Sequence, residues 1–255
     1  MLQEERHRQI LEQLEENNIV RISQLSERLG VTKQTIRRDL SELEKTGLIK
    51  KVHGGALLNK TNIEPSYSTR ISTNVTEKEI IADIAADLVE DGDAIFLDIG
   101  TTTLMMAEKL KERKNLTIIT NFLLIAIELA NTPGVKVILS GGELRGEEFS
   151  LSGPISNKSV KDIFIDKAFI GVGGLSLDSG FTDYHLGESE FRRIMIKHSK
   201  KSYALADHSK MEIIAIYKTA DIHEIDTLIT DNKTPKYLIE KLNEKGMEVI
   251  ISNES

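Results

Sequence analysis

The chain has 255 residues, 40% hydrophobic and 29% charged, and a formal net charge of −7. It contains no cysteine, which excludes disulfides, thiol nucleophiles and cysteine-ligated zinc or iron–sulfur sites. The opening run MLQEERHRQI is charged without an apolar core, and the most apolar stretch, 122–130, already contains Glu128, where a membrane span needs roughly 20 residues, so a cytoplasmic protein without signal or membrane segment is expected.

In chain order, residues 1–58 read first as a small helical unit. Ile10, Leu11 and Leu14 fall on one side of a first helix that ends near Asn17 and Asn18. Ser23 sits where an N-cap belongs, ahead of a short helix carrying Leu25 and Leu29. Gly30 suits a left-handed helix end, and Thr32 can cap a third helix that buries Ile36, Leu40 and Leu43. Lys33, Gln34, Thr35, Arg37, Arg38 and Ser41 are left on or beside the opposite face. Helix, short helix, tight turn and helix is the helix-turn-helix plan, whose second helix enters the major groove. Arg and Lys read guanine edges and phosphates there, and Gln can pair with adenine. After Gly47, LIKKVHGGALL reads as two short strands about Gly54 and Gly55, with Lys50, Lys51 and His53 projecting as a wing.

The charge distribution agrees with that plan. Residues 1–58 hold ten Lys/Arg against nine Asp/Glu, a net +1, which leaves −8 for the remainder. Within 33–51 the balance is six positive against three negative, and local sign decides where a phosphate backbone docks. The DNA-facing set is therefore Ser23, Thr32, Lys33, Gln34, Thr35, Arg37, Arg38, Ser41, Lys50, Lys51 and His53, with double-stranded operator DNA as partner.

The stretch 6–57, centred on VTKQTIRRDLSELEKTGLIKKVHGGA, closely resembles the amino-terminal domain of the DeoR family of bacterial transcriptional regulators. Asp39 lies inside that signature, yet its simplest role is to hold a neighbouring Arg by a charge-assisted hydrogen bond.

Residues 59–75, NKTNIEPSYSTRISTNV, have linker composition. Thr76-x-x-Glu79 then reads as a capping box opening a helix with Ile80, Ile84 and Leu88 on one face. From there apolar strand-like runs at 94–98, 116–120, 135–140, 167–171, 203–207, 227–230 and 247–252 are separated by helical stretches near 103–113, 122–131, 188–200 and 235–245. The expected fold class is α/β: a winged helix-turn-helix followed, over 76–255, by a mainly parallel sheet covered on both faces. In such sheets ligands bind outside the carboxyl ends of the strands.

Those ends carry the unusual chemistry. Asp98 closes the first run and is followed by Gly100, Thr101, Thr102 and Thr103 at a helix start. That loop is either an N-cap or an anion site. It is neither a Walker loop nor a GxGxxG fingerprint. The next ends hold Thr120 and Asn121; Gly141 and Gly142 with Arg145; Gly171, Gly173 and Gly174; and Asp207, His208 and Lys210. Arg145 either pairs with a phosphate or balances Glu143, Glu147 and Glu148. Together these loops indicate a small anionic ligand.

Residues 76–230 look like the sensor domain of the same family, similar in fold to ribose-5-phosphate isomerase and the coenzyme A transferases. The matching motifs are D-x-G-T-T-T (98–103), T-N (120–121), G-G-x-x-R (141–145), G-x-G-G (171–174), G-F-T-D (180–183) and A-D-x-S-K (206–210). The resemblance implies a phosphorylated sugar or related metabolite as effector. Gly100, Thr101, Thr102 and Thr103 then cradle the phosphate and Lys210 adds positive charge. Asp98, Asn121, Asp183 and Asp207 contact sugar hydroxyls, orient neighbours, or merely cap loops; Thr182 lies beside Asp183 in the same motif.

An isomerase needs a carboxylate base, and the isomerases of this fold carry an acidic G-A-D-E-like segment after a central strand. The corresponding 171–176 here, Gly-Val-Gly-Gly-Leu-Ser, has none. Glu188 and Glu190 are placed to interact with a helix dipole. Catalysis is therefore not expected, and neither is a cofactor. The six histidines (7, 53, 185, 198, 208, 223) show no metal-ligand spacing. Met105 and Met106 read as core or interface. The expectation is a transcriptional regulator, a repressor before an activator, acting as a homo-oligomer (dimer or tetramer) on a carbohydrate-catabolism operon. The alternative is a regulator whose sensor has lost its ligand and only oligomerises.

Overall fold

The computed structural model describes residues 3–17, 19–45, 49–52, 54–58 and 64–251. It divides into two units, 1–65 and 66–255.

In the first unit, α1 (Gln3–Asn17), α2 (Ile22–Leu29) and α3 (Lys33–Lys45) pack around Ile10, Leu14, Leu25, Leu29, Ile36, Leu40 and Leu43. Each of these side chains, fully buried, contributes about 1.5–3 kcal/mol. Gly30 closes α2 in the left-handed conformation (φ 64°), and the Thr35 amide donates to Thr32 Oγ1 at 3.2 Å, as the spacing predicts. Ser23 is not the cap of α2. The cap is the extended Arg21, two residues earlier, and Ser23 is an exposed residue of the first turn.

A strand not foreseen in the sequence, β1 (Ile19–Arg21), joins β2 (Ile49–Val52) and β3 (Gly55–Leu58) in the order β1-β3-β2. A Cβ on Gly55 would lie 2.0 Å from the Val20 carbonyl oxygen, so only glycine lets β1 and β3 approach at this register.

The second unit begins within the expected linker. Tyr67–Ser72 forms a short helix, α4, with the Thr69 amide donating to the Ser66 hydroxyl. The next helix, α5, spans Val75–Asp87 rather than opening on a Thr76 capping box. Asn74 occupies its N-cap in the left-handed conformation (φ 51°) and gives its side chain to Asp207 at 2.8 Å.

All seven apolar runs form one parallel sheet: β4 (Ala94–Leu97), β5 (Leu116–Thr120), β6 (Val135–Leu139), β9 (Ile165–Gly171), β12 (Ser199–Leu205), β14 (Thr227–Thr230) and β15 (Glu248–Ile251), in the order β15-β14-β12-β9-β4-β5-β6. Alternation along the strands builds two cores. Ile95, Leu97, Ile118, Phe169, Tyr203 and Leu205 face α5, α6 (Thr101–Lys109) and α7 (Leu123–Leu129). Phe96, Ile119, Ala168, Ile170, Ala204 and Leu228 face α8 (Pro154–Val160), α9 (Leu186–Lys197) and α10 (Lys236–Glu244). Burial on both faces explains the unbroken apolar runs.

Two short antiparallel ribbons complete the unit: β7 (Glu143–Arg145) with β8 (Ser150–Ser152), and β10 (Gly174–Ser176) with β11 (Gly180–Asp183) and β13 (Tyr217–Ala220). Among the described residues no helix is long and apolar enough to cross a membrane.

Candidate functional site

Two surfaces carry the expected chemistry. On the first unit, α3 buries Ile36, Leu40 and Leu43 and leaves Lys33, Gln34, Arg37 and Arg38 exposed. Among the described residues Arg38 pairs with the neighbouring Glu42, at 3.3 Å, and keeps 80% of its side chain in solvent. Ser23, Thr32, Lys50 and Lys51 are exposed, and Thr35 and Ser41 half-buried. Lys51 Nζ donates to Ser41 Oγ at 2.9 Å and its amide to Glu44 at 2.8 Å, which braces the wing against α3. His53 lies outside the described residues.

Asp39, 1% exposed, is held from α1 rather than from its own helix. Arg6 Nε and Nη2 donate to its two oxygens at 2.6 and 2.8 Å, and His7 Nε2 lies at 3.3 Å. The hydrogen bonds to Asp39 raise the Arg6 pKa. Asp39 therefore sets the position of the exposed face without being part of it.

The second surface lies at the carboxyl ends of the parallel strands. β4 is followed outward by β5 on one side and β9 on the other, so the loops after β4 and β9 diverge there, and this is where such sheets bind ligands. Asp98 ends β4 and is fully buried. Its Oδ2 accepts the Gly171 amide at 3.0 Å, and a Cβ on Gly171 would lie 2.6 Å from the Ile99 carbonyl oxygen. Close backbone approach, then, is why glycine stands at 171.

Next comes the start of α6. Thr101, Thr102 and Thr103 are all buried, and the N-cap Gly100 offers no side chain to the first amides. Thr103 spends its hydroxyl on the Gly100 carbonyl at 2.9 Å. The other two hydroxyls and the helix amides are groups that can donate to an anion.

The principal residue missing from the sequence reading is Arg192. It is 2% exposed on α9, donates to Asp98 through Nε, and lies 2.7 Å from Asp183 Oδ2 through Nη1. Burial opposes its charge, but Asp183, Asp98 and Glu188 outweigh that and raise its pKa. Burial dominates at Asp98, against the pull of Arg192, and pushes its carboxyl up to about 6. Asp183 also accepts the Tyr184 and His185 amides, at 2.7 and 3.3 Å.

Glu188, one helical turn before Arg192, lies in the first turn of α9, where it meets the helix dipole, and is fully buried. Its Oε1 accepts Ser150 Oγ at 2.5 Å and lies 3.3 Å from Arg145 Nη1. Arg145, which the sequence could pair with a phosphate or set against Glu143, Glu147 and Glu148, has Glu188 as a partner here, and Glu148 accepts from Arg70 and the Tyr67 amide. Phe122 bridges to Ser150, and the Leu151 amide donates to the Asn121 carbonyl at 2.8 Å, so Asn121, Ser150, Glu188, Arg192 and Asp98 form a contiguous set.

Several expected residues have a role in the fold. Thr120 Oγ1 accepts the Phe122 amide, and Thr182 Oγ1 donates to the Gly174 carbonyl and accepts the Ala215 amide. Cβ atoms on Gly142, Gly173 and Gly174 would meet the Ser152, Thr182 and Ile213 carbonyl oxygens at 2.6, 2.9 and 2.4 Å. Their lack of a side chain is a packing requirement.

Asp207 and Lys210 sit in the turn after β12, beyond β9. Burial raises the Asp207 pKa, but bonds from Ser209 and Asn74 and the Lys210 charge leave it below the usual range. The ligand atoms of Asp207, His208 and Asp231 lie within 4.8 Å of one another, a grouping across two strand ends that histidine spacing does not reveal. Both Asp231 oxygens accept amides, of His208 and Lys233, and lie near the His208 ring, and Asp207 Oδ1 accepts from the Ser209 amide and from Asn74.

Comparison with known proteins follows these two surfaces. Residues 6–62 match the DeoR-like helix-turn-helix domain, and residues 73–232 match the DeoR C terminal sensor domain. The chain is 40% identical to the HTH-type transcriptional regulator GolR of Listeria innocua serovar 6a, over 97% of this chain and 98% of that one. It is 31% identical to the glycerol-3-phosphate regulon repressor of Escherichia coli K12, over 98% and 99%. Among solved structures, ribose 5-phosphate isomerase A of Methanocaldococcus jannaschii aligns over 55% of each chain, with TM-score 0.41 and 17% identity.

Proposed function

The chain belongs to the DeoR family of transcriptional regulators, and from that membership we propose that it represses a carbohydrate-catabolism operon under the control of a phosphorylated sugar bound at the strand ends of its second unit. In this reading α3 enters the major groove, where Gln34, Arg37 and Arg38 meet base edges, and Lys33, Lys50 and Lys51 meet phosphates. The protein acts in the cytoplasm as a homo-oligomer, with paired first units about 34 Å apart or a multiple of that spacing on a palindromic operator.

The observation that carries the effector reading is Asn121. Its side chain is 0% exposed, and neither its amide nitrogen nor its amide oxygen has a hydrogen-bond partner. A buried unpaired polar group costs about 1–3 kcal/mol, a cost that a ligand bound there removes. Asn121 stands on the strand next to Asp98 and the uncapped start of α6, which supplies the anion-binding half. A relative named for the glycerol-3-phosphate regulon supports phosphate chemistry. On this reading the protein is a regulator and not an isomerase, since the relatives that it matches over nearly its whole length are named as regulators.

A thermal-shift panel of sugar phosphates and the corresponding free sugars tests the effector. A ligand at one hundred times its dissociation constant adds about 2.7 kcal/mol to the stability of the folded state. The expected result is a shift confined to phosphorylated compounds. A flat panel contradicts the reading and leaves the second unit as an oligomerisation module.

A further inference from the structure

Beyond Asn121, two carboxylate oxygens at the same strand ends stand buried without a donor: Asp98 Oδ1 and Glu188 Oε2, each on a residue with 0% exposure. Asp98 gives its other oxygen to Arg192 and the Gly171 amide, and Glu188 gives its other oxygen to Ser150 and Arg145. The protein thus satisfies one oxygen of each carboxylate and leaves the second for something else. Both belong to the contiguous set that runs from Asn121 through Ser150 and Glu188 to Arg192. The N-terminus of α6 provides donors, whereas these two oxygens are acceptors. The two halves therefore suit opposite ends of one ligand.

We propose that Glu188 is a ligand-reading residue, and that with Asp98 and Asn121 it forms the hydroxyl-recognising half of the effector site, committing the site to a polyhydroxylated sugar phosphate and against a phosphorylated sugar acid. The proposal rests on the effector reading above. Two acceptor oxygens call for two O–H donors on the ligand, and Asn121, with a donor and an acceptor, complements a third oxygen. A ligand carboxylate in their place would face the Asp98 and Glu188 charges with no proton to offer. A site built to hydrogen-bond hydroxyls rejects analogues that lack them, because its own buried groups are then left unpaired. The sequence places Glu188 at a helix start, where a dipole role suffices, and only its burial singles it out.

The test is calorimetric titration of the full chain and of Glu188→Gln with three probes: inorganic phosphate, fructose 6-phosphate or whichever hexose phosphate gives the largest shift in the panel, and 6-phosphogluconate. The substitution keeps the side-chain volume and removes the charge. The expected result is unchanged phosphate binding, a loss of about tenfold or more in hexose phosphate affinity, and a narrowed preference for hexose phosphate over 6-phosphogluconate. Equal losses for phosphate and hexose phosphate, or an unaltered preference, overturn the proposal and reduce Glu188 to an anchor for Ser150 and Arg145. Ser150→Ala separates these roles: it removes that anchor alone, and the proposal expects the preference between the two organic probes to survive. If no hexose phosphate binds the unaltered chain, this proposal fails, and if no sugar phosphate of the panel binds, the effector reading fails with it.

Discussion

Arg192 on α9 and Asp98 at the end of β4, 94 residues apart in sequence, form a fully buried ion pair that the same guanidinium extends to Asp183, 2.7 Å away. One cation thereby fixes the loop after β4 and the end of β11. Replacing Arg192 with Met leaves Asp98 and Asp183 buried without their cation, and losing one partner of such a pair costs about 3–5 kcal/mol. Calorimetry of Arg192→Met is expected to show the transition of the second unit lowered. Arg192→Lys is expected to recover only part of the loss, since an ammonium cannot fork between two carboxylates. A melting curve identical to the unaltered protein contradicts this assignment.

Asp98 also sets a pH dependence. Its carboxyl stands at about 6 in the folded protein against an ordinary 3.8. Between those values the folded state binds the extra proton, so the contribution of Asp98 is most favourable below about pH 4 and is lost as pH rises through about 6. The loss is on the order of 3 kcal/mol. Asp98→Asn removes this term. The unaltered protein is therefore expected to gain stability relative to the Asn variant when urea unfolding is repeated at pH 7, 5.5 and 4.5. A constant difference across those pH values refutes the shift.

The first unit makes a different prediction. Asp39→Ala removes the carboxylate that accepts two hydrogen bonds from Arg6 without touching an exposed side chain of α3. Operator binding is expected to fall because the first unit loosens, while effector binding stays normal. Proteolysis confined to residues 1–65, together with an unchanged ligand titration, is the expected signature.

Arg37→Ala and Arg38→Ala should leave the fold intact. Arg38 spends little on its exposed pair with Glu42, and that contact is worth no more than about 0.3–0.5 kcal/mol. Each substitution is expected to cost about 1–3 kcal/mol of operator affinity where the side chain meets a base edge. Unaltered affinity in both variants moves the recognition face elsewhere.

The contrast between these residues shows what the sequence makes legible. Ile36, Leu40 and Leu43 announce α3 by their spacing, and the seven strands of the parallel sheet announce themselves because burial on both faces demands continuous apolar runs. Gly30 and Thr32 are equally clear, since one left-handed turn and one cap need those residue types. Ribbons such as Gly174–Ser176 and Gly180–Asp183 are too short for any period to emerge. Arg192 and Glu188 are hidden for another reason. In LGESEFRRIMIK they look like the polar face of an ordinary amphipathic helix, and only the partners at Asp98, Asp183 and Ser150 show that this face points inward. Ser23 and Thr76 are not caps because the backbone enters each helix two residues sooner, after Arg21 and Asn74.

The most direct test of the whole account couples the two surfaces in one titration. Fluorescence anisotropy of a labelled operator duplex, selected from random sequence by the full chain, is followed while sugar phosphates and free sugars are added, with Thr102→Ala in parallel. The account predicts that one phosphorylated sugar changes operator affinity by at least about tenfold, 1.4 kcal/mol of coupling, that its free sugar does not, and that Thr102→Ala binds the operator normally but loses the response. Operator affinity indifferent to every sugar phosphate, or a full response in Thr102→Ala, contradicts it.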